Sequence, residues 1–383
     1  MIDSLKRRIL GNEMLSPFVK DIKFFMKTRR KAPSGTAKKF PTVVQMPITY
    51  NCNSKCVMCN IWKMDYSNEM SVEEFSKFLS DPIFSKVEHL GINGGEPSLV
   101  KELDQFAFEI LKLPNLKSLN IISHGFNRKQ LFPFLESVYA KCKEKNIPFH
   151  ISISLDGYGE VHDRVRGLKV FKLTSLSIKD IHENMNKYCD TFDIGCTVIK
   201  QNVDDLIELD VYAQKHDYNI KYRMGIENKR IESDKLKDQY SLLYDGLLQS
   251  AKEFFHSRIN TANNLYDKFK YFAIYYFLVA KKKERLLGCY WQEEGMTMDS
   301  RGDLYYCAVA SDKIGSLRET DGKSIFFSDK NIAYRKSIID NNCNSCIHDY
   351  YGKATWKSIK TFVNAMIFEK TWYYKYKLKS IIS

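Results

Sequence analysis

The sequence has no run of about 18 or more apolar residues, so no membrane-spanning helix is expected. Its best candidate, Tyr271–Ala280, covers ten residues and runs into Lys281-Lys282-Lys283, the pattern of a buried helix that ends in cations. The N-terminus, MIDSLKRRIL, lacks a long apolar core before a small-residue cleavage site. A secretory signal is therefore not expected, and a cytoplasmic location is inferred. No internal repeat of about 20–50 residues is present, which argues against a solenoid. Acidic residues are in deficit, 46 against 59 Lys and Arg, for a formal net charge of +13. The surplus is spread along the chain, with local concentrations at Lys27–Lys31, Lys281–Arg285 and Lys375–Lys379. Such a surplus favours acidic partners: phosphorylated substrates, nucleic acid or an anionic membrane face. Dispersed lysine also reads as plain solvated surface, and that reading is preferred, with no nucleic-acid partner expected.

What is present is ample core material. Hydrophobic residues make up 44% of 383 and aromatics 13%, which excludes wholesale disorder. The length fits about two to three structural units. The chain also has ten cysteines. In a reducing compartment these do not form a disulfide framework. Seven fall into two sets, Cys52, Cys56, Cys59 and then Cys289, Cys307, Cys343, Cys346. Clustered thiols in such a chain point to metal.

Residues 1–41 read as a basic arm, broken from the rest of the chain by Pro33-Ser34-Gly35. From 42 to 228, short β-rich runs alternate with helical periods. Strands are expected at Val43–Tyr50, Val87–Asn93, Ser118–Ser123, Phe149–Leu155, Phe192–Ile199 and Ile220–Met224. Helices are expected near Ser71–Ser80, Lys101–Leu113, Arg128–Lys145, Thr174–Tyr188 and Val203–His216. This alternation specifies parallel strands with right-handed crossovers. Six units are too few for a closed eight-strand barrel, so the fold class is α/β, an open, partial (β/α)6 TIM-like barrel. Functional residues in such sheets sit at the C-terminal strand ends. Residues 229–286 read as a charged helical linker and 287–350 as a small α+β domain carrying the second cysteine set. A hairpin signal spans Met296–Tyr306, with Ser300-Arg301-Gly302 as its turn. Residues 351–383 form a final aromatic and basic helix.

Cys52-x3-Cys56-x2-Cys59 comes directly after the first strand. Three thiolates on so short a loop can bind three different irons of one cubic cluster, leaving the fourth iron open for chemistry. Zinc would want a fourth local ligand, and the nearest histidine is His89, thirty residues on. The second strand ends in Gly94-Gly95-Glu96-Pro97. Two glycines permit close backbone approach to a ligand, and Glu96 can accept hydrogen bonds from an ammonium group.

This combination resembles the radical S-adenosylmethionine (SAM) superfamily over roughly Val43–Glu227. The resemblance implies a [4Fe–4S] cluster on Cys52, Cys56 and Cys59, with SAM chelating the open iron. Gly94, Gly95 and Glu96 would hold the methionine amino group. Ser123 and Arg166 would lie near the methionine end, and Ser154 and Asp156 would contact the ribose. The segment from Thr197 would contact the adenine. Met58 stands where many members have an aromatic residue, and Ser123-His124-Gly125 where Thr-Asn-Gly is commoner.

In the second set, Cys289-x12-Gly302-x4-Cys307 precedes Cys343-x2-Cys346. Four thiolates saturate a tetrahedral or four-iron site. The long first gap fits zinc less well than two x2 pairs would. The layout resembles the SPASM and shortened twitch modules appended to radical SAM enzymes, which implies one auxiliary [4Fe–4S] cluster. A saturated cluster carries electrons or braces the fold, and electron transfer is preferred. The expected function is a radical SAM oxidoreductase. It would abstract a hydrogen from a hydroxylated small molecule or glycan, fed by a reductant such as flavodoxin or ferredoxin. The alternatives are a peptide-modifying maturase, disfavoured by an arm too short for a leader-binding domain, and a non-enzymatic electron carrier, disfavoured by Gly-Gly-Glu-Pro. Cys142, Cys189 and Cys196 read as small buried hydrophobes. His124 and His162 read as hydrogen-bonded structural residues. No catalytic residue is assigned.

Overall fold

The computed structural model describes residues 34–244, 246–262, 264–280, 283–348 and 354–366. The basic N-terminal arm up to residue 33 and the aromatic, basic tail from Trp372 lie outside the described residues. The chain forms two compact units.

The larger unit holds Ser34–Ala251 and Trp291–Cys343. Its strands are β1 (Val43–Pro47), β2 (His89–Asn93), β3 (Ser118–Ser123), β4 (Phe149–Ser154), β5 (Thr191–Val198) and β6 (Ile220–Met224). Between them run α1 (Val72–Leu79), α2 (Leu103–Ile110), α3 (Arg128–Glu144), α4 (Glu160–Arg166), α5 (Phe171–Glu183), α6 (Met185–Tyr188) and α7 (Leu206–Lys215). Every pairing from β1 to β6 is parallel and keeps to chain order. The sheet does not stop at β1. Strand β7 (Gly295–Met298) lies parallel to β1 with Val44 opposite Met296. Strands β8 (Asp303–Tyr305) and β9 (Gly315–Ser316) add on antiparallel. The result is an open nine-stranded sheet, β6-β5-β4-β3-β2-β1-β7-β8-β9. The hairpin expected over Met296–Tyr306 is therefore present, and it extends the barrel sheet.

The strands alternate cleanly. Leu119 and Ile121 of β3, Ile151 and Ile153 of β4, Ile194, Cys196 and Val198 of β5, and Tyr222 of β6 are essentially inaccessible. Burying each large apolar side chain contributes about 1.5–3 kcal/mol. Parallel barrels carry their helices outside, so this apolar set is the outer face. The intervening residues are mostly polar, Asn120, His150, Ser152, Asp193, Thr197, Lys221 and Arg223, with Ile122 and Gly195 as exceptions. Strands buried on both faces would read as continuous apolar runs. The inner face here is thus a hydrogen-bonding surface and not a packed core.

Helix starts have specific causes. A capping box opens α1, with Glu74 N donating to Ser71 Oγ (3.2 Å) and Ser71 N donating to Glu74 Oε2 (3.3 Å). Helix α5 starts at Phe171, three residues earlier than expected. The Asp163 carboxylate accepts from Val170 N and Phe171 N, 2.7 Å each, so the cap comes from a residue outside the local pattern.

The smaller unit contains Lys252–Tyr290 and the chain from Asn344 onward. Helix α10 (Leu265–Val279) buries Phe269, Tyr271, Phe272, Ile274, Phe277 and Leu278, so the ten-residue apolar run is the buried helix expected. Phe362, on a helix over 356–366, stacks on Phe269 at 4.5 Å. Lys283 Nζ donates to the carbonyls of Phe277 and Leu278, 3.0 Å each, and so caps the helix with a cation. The remaining helices are α8 (Lys237–Tyr240), α9 (Leu248–Thr261), α11 (Gly322–Phe327) and α12 (Asp329–Asn342). Among the described residues, no helix is long and apolar enough to cross a membrane.

Candidate active site

The loop from Cys52 to Cys59 leaves β1 at its C-terminal end and is held from two sides. On one side, Lys55 N donates to Arg166 O (3.1 Å) and Val57 N to Val165 O (3.0 Å). The last carbonyls of α4, which no intrahelical donor reaches, are thereby satisfied. On the other side, Gly95 N donates to Thr49 O (2.7 Å) and Glu96 N to Asn51 O (2.8 Å). A Cβ at Gly95 would lie 2.1 Å from Asn51 O, and one at Gly94, whose φ is +137°, 2.4 Å from Thr49 O. The two glycines are thus required by the approach of the cysteine-bearing strand end.

Two relays of contacts begin on this loop. In the first, His124 Nδ1 accepts from Phe126 N (3.2 Å), so its Nε2 carries the proton and faces Asn53 Oδ1 at 2.8 Å. Glu96, 1% exposed, accepts from Ser98 N (3.1 Å), Ser123 Oγ (2.7 Å) and His124 N (2.9 Å). Ser123 in turn accepts from Gly125 N (3.0 Å). Glu96 therefore ties the end of β2 to the end of β3, with three donors already on its carboxylate. Burial pushes the His124 imidazole down to about 4, so the ring is neutral near pH 7.

In the second relay, Cys56 Sγ lies 3.1 Å from Ser54 Oγ and accepts from Arg166 Nη1 at 3.6 Å. Arg166 Nη2 pairs with the fully buried Asp156 carboxylate at 2.6 Å. Burial opposes the Arg166 charge, and Asp156 and the Cys56 sulfur outweigh it, so its pKa is raised. Asp156 Oδ1 accepts from Thr197 N (2.8 Å), which joins β4 to β5. Asn202, fully buried, donates to Asp156 O (2.7 Å) and Thr197 O (2.8 Å) and accepts from Ile199 N (2.8 Å). Ser154 is buried opposite Gly195.

Of the sequence-derived residues, Arg166 contacts the thiol loop directly and Glu96 N reaches Asn51 beside it, while Ser123 joins through Glu96, and Asp156 and Thr197 join through Arg166. Asn53 and Asn202 belong to the same network. Sequence reasoning gave neither a role, because an isolated asparagine carries no spacing signal. Asn202 lay inside the segment singled out from Thr197 onward.

The thiol set suits a four-iron cluster. The Cys52, Cys56 and Cys59 sulfurs act on one another electrostatically, and burial pushes the Cys52 and Cys59 thiols up to about 12. The Arg166 guanidinium donates to Cys56 Sγ, as suits a thiolate ligand, and the Ser54 hydroxyl lies beside the same sulfur. Among the described residues, no three His, Cys, Asp or Glu side chains converge on one point as a single-ion site demands. Three thiolates binding three separate irons need no such convergence.

Of the second set, Cys289 and Cys346 belong to the smaller unit, and Cys307 and Cys343 to the larger. Within the smaller unit, Arg285 links the two cysteine segments. It donates to Leu287 O (2.7 Å), Gly288 O (3.3 Å) and Cys346 O (3.2 Å), and Arg285 N donates to Asn344 O (2.9 Å). Its basic neighbours at Lys281–Arg285 masked this role in the sequence. Cys142, Cys189 and Cys196 are all buried, and burial raises each thiol's pKa.

Below the loop, the polar inner face forms ordered pairs. Ser152 Oγ donates to Asp193 Oδ1 (2.7 Å), while His150 Nε2 (3.1 Å) and Lys221 Nζ (2.5 Å) meet Asp193 Oδ2. Burial alone would raise the Asp193 pKa, but these partners hold it well below the usual range. Asn93 Nδ2 donates to Gln45 Oε1 at 2.9 Å.

An open parallel half-barrel with three thiols after its first strand and a Gly-Gly-Glu-Pro turn after its second defines a radical SAM domain. The family model described as the Radical SAM superfamily matches residues 46–211, so this stretch of the chain carries a Radical SAM domain. Among curated proteins, it is 23% identical over 211 residues to GTP 3',8-cyclase of Clostridium botulinum, covering 54% of this chain and 61% of that protein. It is 26% identical over 182 residues to Fe-coproporphyrin III synthase of Methanosarcina barkeri, covering 46% and 43%. The chain thus spans about three fifths of the length of the first of these relatives. Among solved structures it resembles Streptococcus suis SuiB bound to S-adenosylmethionine, with a TM-score of 0.56 and 18% identity over 78% of this chain and 68% of that one. It also resembles anSMEcpe with bound AdoMet and Kp18Cys peptide, with a TM-score of 0.59 and 16% identity over 85% and 97%.

Both the glycine turn and the buried imidazole can be tested by unfolding. Gly95→Ala forces a Cβ against the Asn51 carbonyl and should destabilise the chain by about 1–3 kcal/mol in urea unfolding; unchanged stability would refute the packing argument. The buried neutral His124 has a folded-state pKa of about 4, below its unfolded value. The unfolded chain therefore binds more protons between about pH 6.5 and 4, and stability falls as pH drops through that window. His124→Gln should flatten this slope, as measured by urea unfolding at several pH values. An unchanged slope would show that other groups set it.

Proposed function

We propose that this chain reductively cleaves SAM and uses the resulting radical on a hydroxylated small molecule or glycan. The observation that carries the reading is the polar inner face directly below the thiol loop. Its Ser, Thr, Asn and His side chains, paired within that face, can extend that hydrogen bonding to a substrate rich in hydroxyls. Cys52, Cys56 and Cys59 would hold the [4Fe–4S] cluster and leave one iron for SAM. Gly94, Gly95, Glu96, Ser123, Ser154, Asp156, Arg166 and Thr197 would frame the SAM site. With cluster and cosubstrate bound, the chemistry supplied is homolytic cleavage to methionine and a 5′-deoxyadenosyl radical that takes a hydrogen atom.

The chain's own residues do the positioning. Glu96 and Asp156 fix the ends of β2 to β5 around the loop. Arg166 keeps positive charge beside the Cys56 sulfur. The buried, neutral His124 adds no charge there.

Cys289, Cys307, Cys343 and Cys346 would hold a second [4Fe–4S] cluster, which would supply an acceptor for the electron lost when a hydroxyl-bearing substrate radical gives up a proton and an electron to become a ketone, the chemistry of an oxidoreductase. A reductant such as flavodoxin or ferredoxin and a cytoplasmic setting complete the proposal, as do the sequence-level boundaries at 42–228 and 287–350 for core and auxiliary module. A second reading, modification of a peptide, has the support of the peptide-bound SuiB and anSMEcpe neighbours.

Anaerobically reconstituted wild type should form 5′-deoxyadenosine and methionine under dithionite, and Cys56→Ala should form none. Equal turnover by both would end the assignment. Cys343→Ala should keep SAM cleavage, lose about half the bound iron and form no final product. Full turnover by that variant would reduce the second set to a structural role. Mass comparison of metabolite and peptide pools with and without enzyme separates the two substrate readings.

A further inference from the structure

Tyr50 stands two residues before Cys52 and is flanked by two guanidinium groups. Arg301 Cζ lies 5.4 Å and Arg230 Cζ 5.9 Å from its ring centroid. Arg301 comes from the β7–β8 turn, and Arg230 from a 3₁₀ turn, Lys229–Ile231, located after β6. The obvious counter-charge is Asp299, yet it is already taken. Its carboxylate, 1% exposed, accepts from Tyr50 OH (2.7 Å), Tyr305 OH (3.1 Å), Arg301 N (3.0 Å) and Asp303 N (3.0 Å). Four donors fill a carboxylate's acceptor capacity. The nearby Glu69 is likewise committed, to Tyr50 N and to Thr49 Oγ1.

The two arginines are left with surplus donors. Arg301 reaches the exposed Asp65 through Nη2, at 3.5 Å from its carboxylate, but its Nε is buried without a hydrogen-bond partner. Arg230 Nε and Nη1 are also buried without a hydrogen-bond partner. Among the described residues, no carboxylate lies within ion-pair distance of Arg230. Cation–π contact uses the flat face of a guanidinium and leaves its edge N–H groups unmet. Each buried, unmet donor on a charged group is costly. An oxyanion that reached these edges would satisfy the unmet donors, and arginine forks suit carboxylate and phosphate oxygens. The +13 surplus of the whole chain would steer such a ligand inward.

We propose that Arg230 and Arg301, set about the Tyr50 ring, form an oxyanion-binding subsite beside the thiol loop that takes a carboxylate or phosphate group of the substrate. This rests on the reading of that loop as the reaction centre. It narrows the substrate to an anionic, hydroxylated molecule whose charged end is anchored on the β6–β7 side of the loop.

The test uses reconstituted full-length enzyme titrated calorimetrically with inorganic phosphate, and in parallel with acetate, at fixed ionic strength. Saturable binding of at least one anion is expected, and the stronger of the two identifies the group recognised. Arg230→Gln and Arg301→Gln should each weaken that binding about tenfold or more, the effect of losing a charge-assisted fork. Lys235→Gln, which removes charge from an exposed side chain, should not. Arg230→Lys keeps the charge and should fall between, which guards against a glutamine variant that misfolds. Absence of saturable binding, or binding indifferent to both glutamine variants, overturns the proposal. So does loss of SAM retention in Arg230→Gln, because the guanidinium would then serve the cosubstrate. Phosphate or acetate binding without any 5′-deoxyadenosine from wild type would leave the subsite standing and remove the reaction class.

Discussion

The whole site depends on one constraint, the clamping of a short thiol-bearing loop by backbone groups on both flanks. The carbonyl end of α4 takes the N–H groups of Lys55 and Val57, and the Gly94-Gly95 turn approaches Thr49 and Asn51. Neither clamp uses a cysteine side chain of the loop, although Ser54 Oγ adds a donor to Arg166 O (3.2 Å). All three sulfurs are therefore free for iron, while the loop itself is fixed. A loop held through its side chains would have to choose between being rigid and binding metal.

The buried carboxylates obey the same logic. Glu96 and Asp156 sit at the ends of strands, and each gathers donors from the next strand along. An ionised carboxylate away from water is tolerable only when hydrogen-bonded or paired. Glu96 has amide and hydroxyl donors, and Asp156 has Arg166. The two acids differ in consequence, because only the Asp156 pair carries a cation to the cysteine sulfur. Removing Asp156 would leave Arg166 buried beside Cys56 with its carboxylate partner gone, a larger disturbance than the loss of one hydrogen bond.

Much of this was legible in the sequence because the alternating strands and helical periods are local signals. The limits of β3 and β6 coincide with those read from the sequence, and the others differ by up to three residues at either end. What could not be read was non-local. Asp163 caps α5 from outside it, and Asn184, which turns back to bond Asp180 O, splits the expected Thr174–Tyr188 helix in two. Helix α4 is too short to show a period, and the sequence pointed there only to His162 and Arg166. Glu96 read as a residue aimed at a ligand, and what the sequence did not show is that its carboxylate also takes donors from its own turn and from the end of β3. Tyr50, Arg230 and Arg301 share no spacing at all, and only the fold places them together.

Strand β7 lies beside β1 although Val43 and Gly295 are far apart in the chain. During synthesis, the ladder groups of β1 facing that side have no native partner until the polypeptide has emerged through Met298. An unpaired parallel edge is a template for the wrong neighbour, and pairing at such separation closes slowly. The same strand that completes the sheet therefore makes the nascent protein dependent on its own late segment, and truncation anywhere before residue 295 would leave the thiol loop hanging from an open seam.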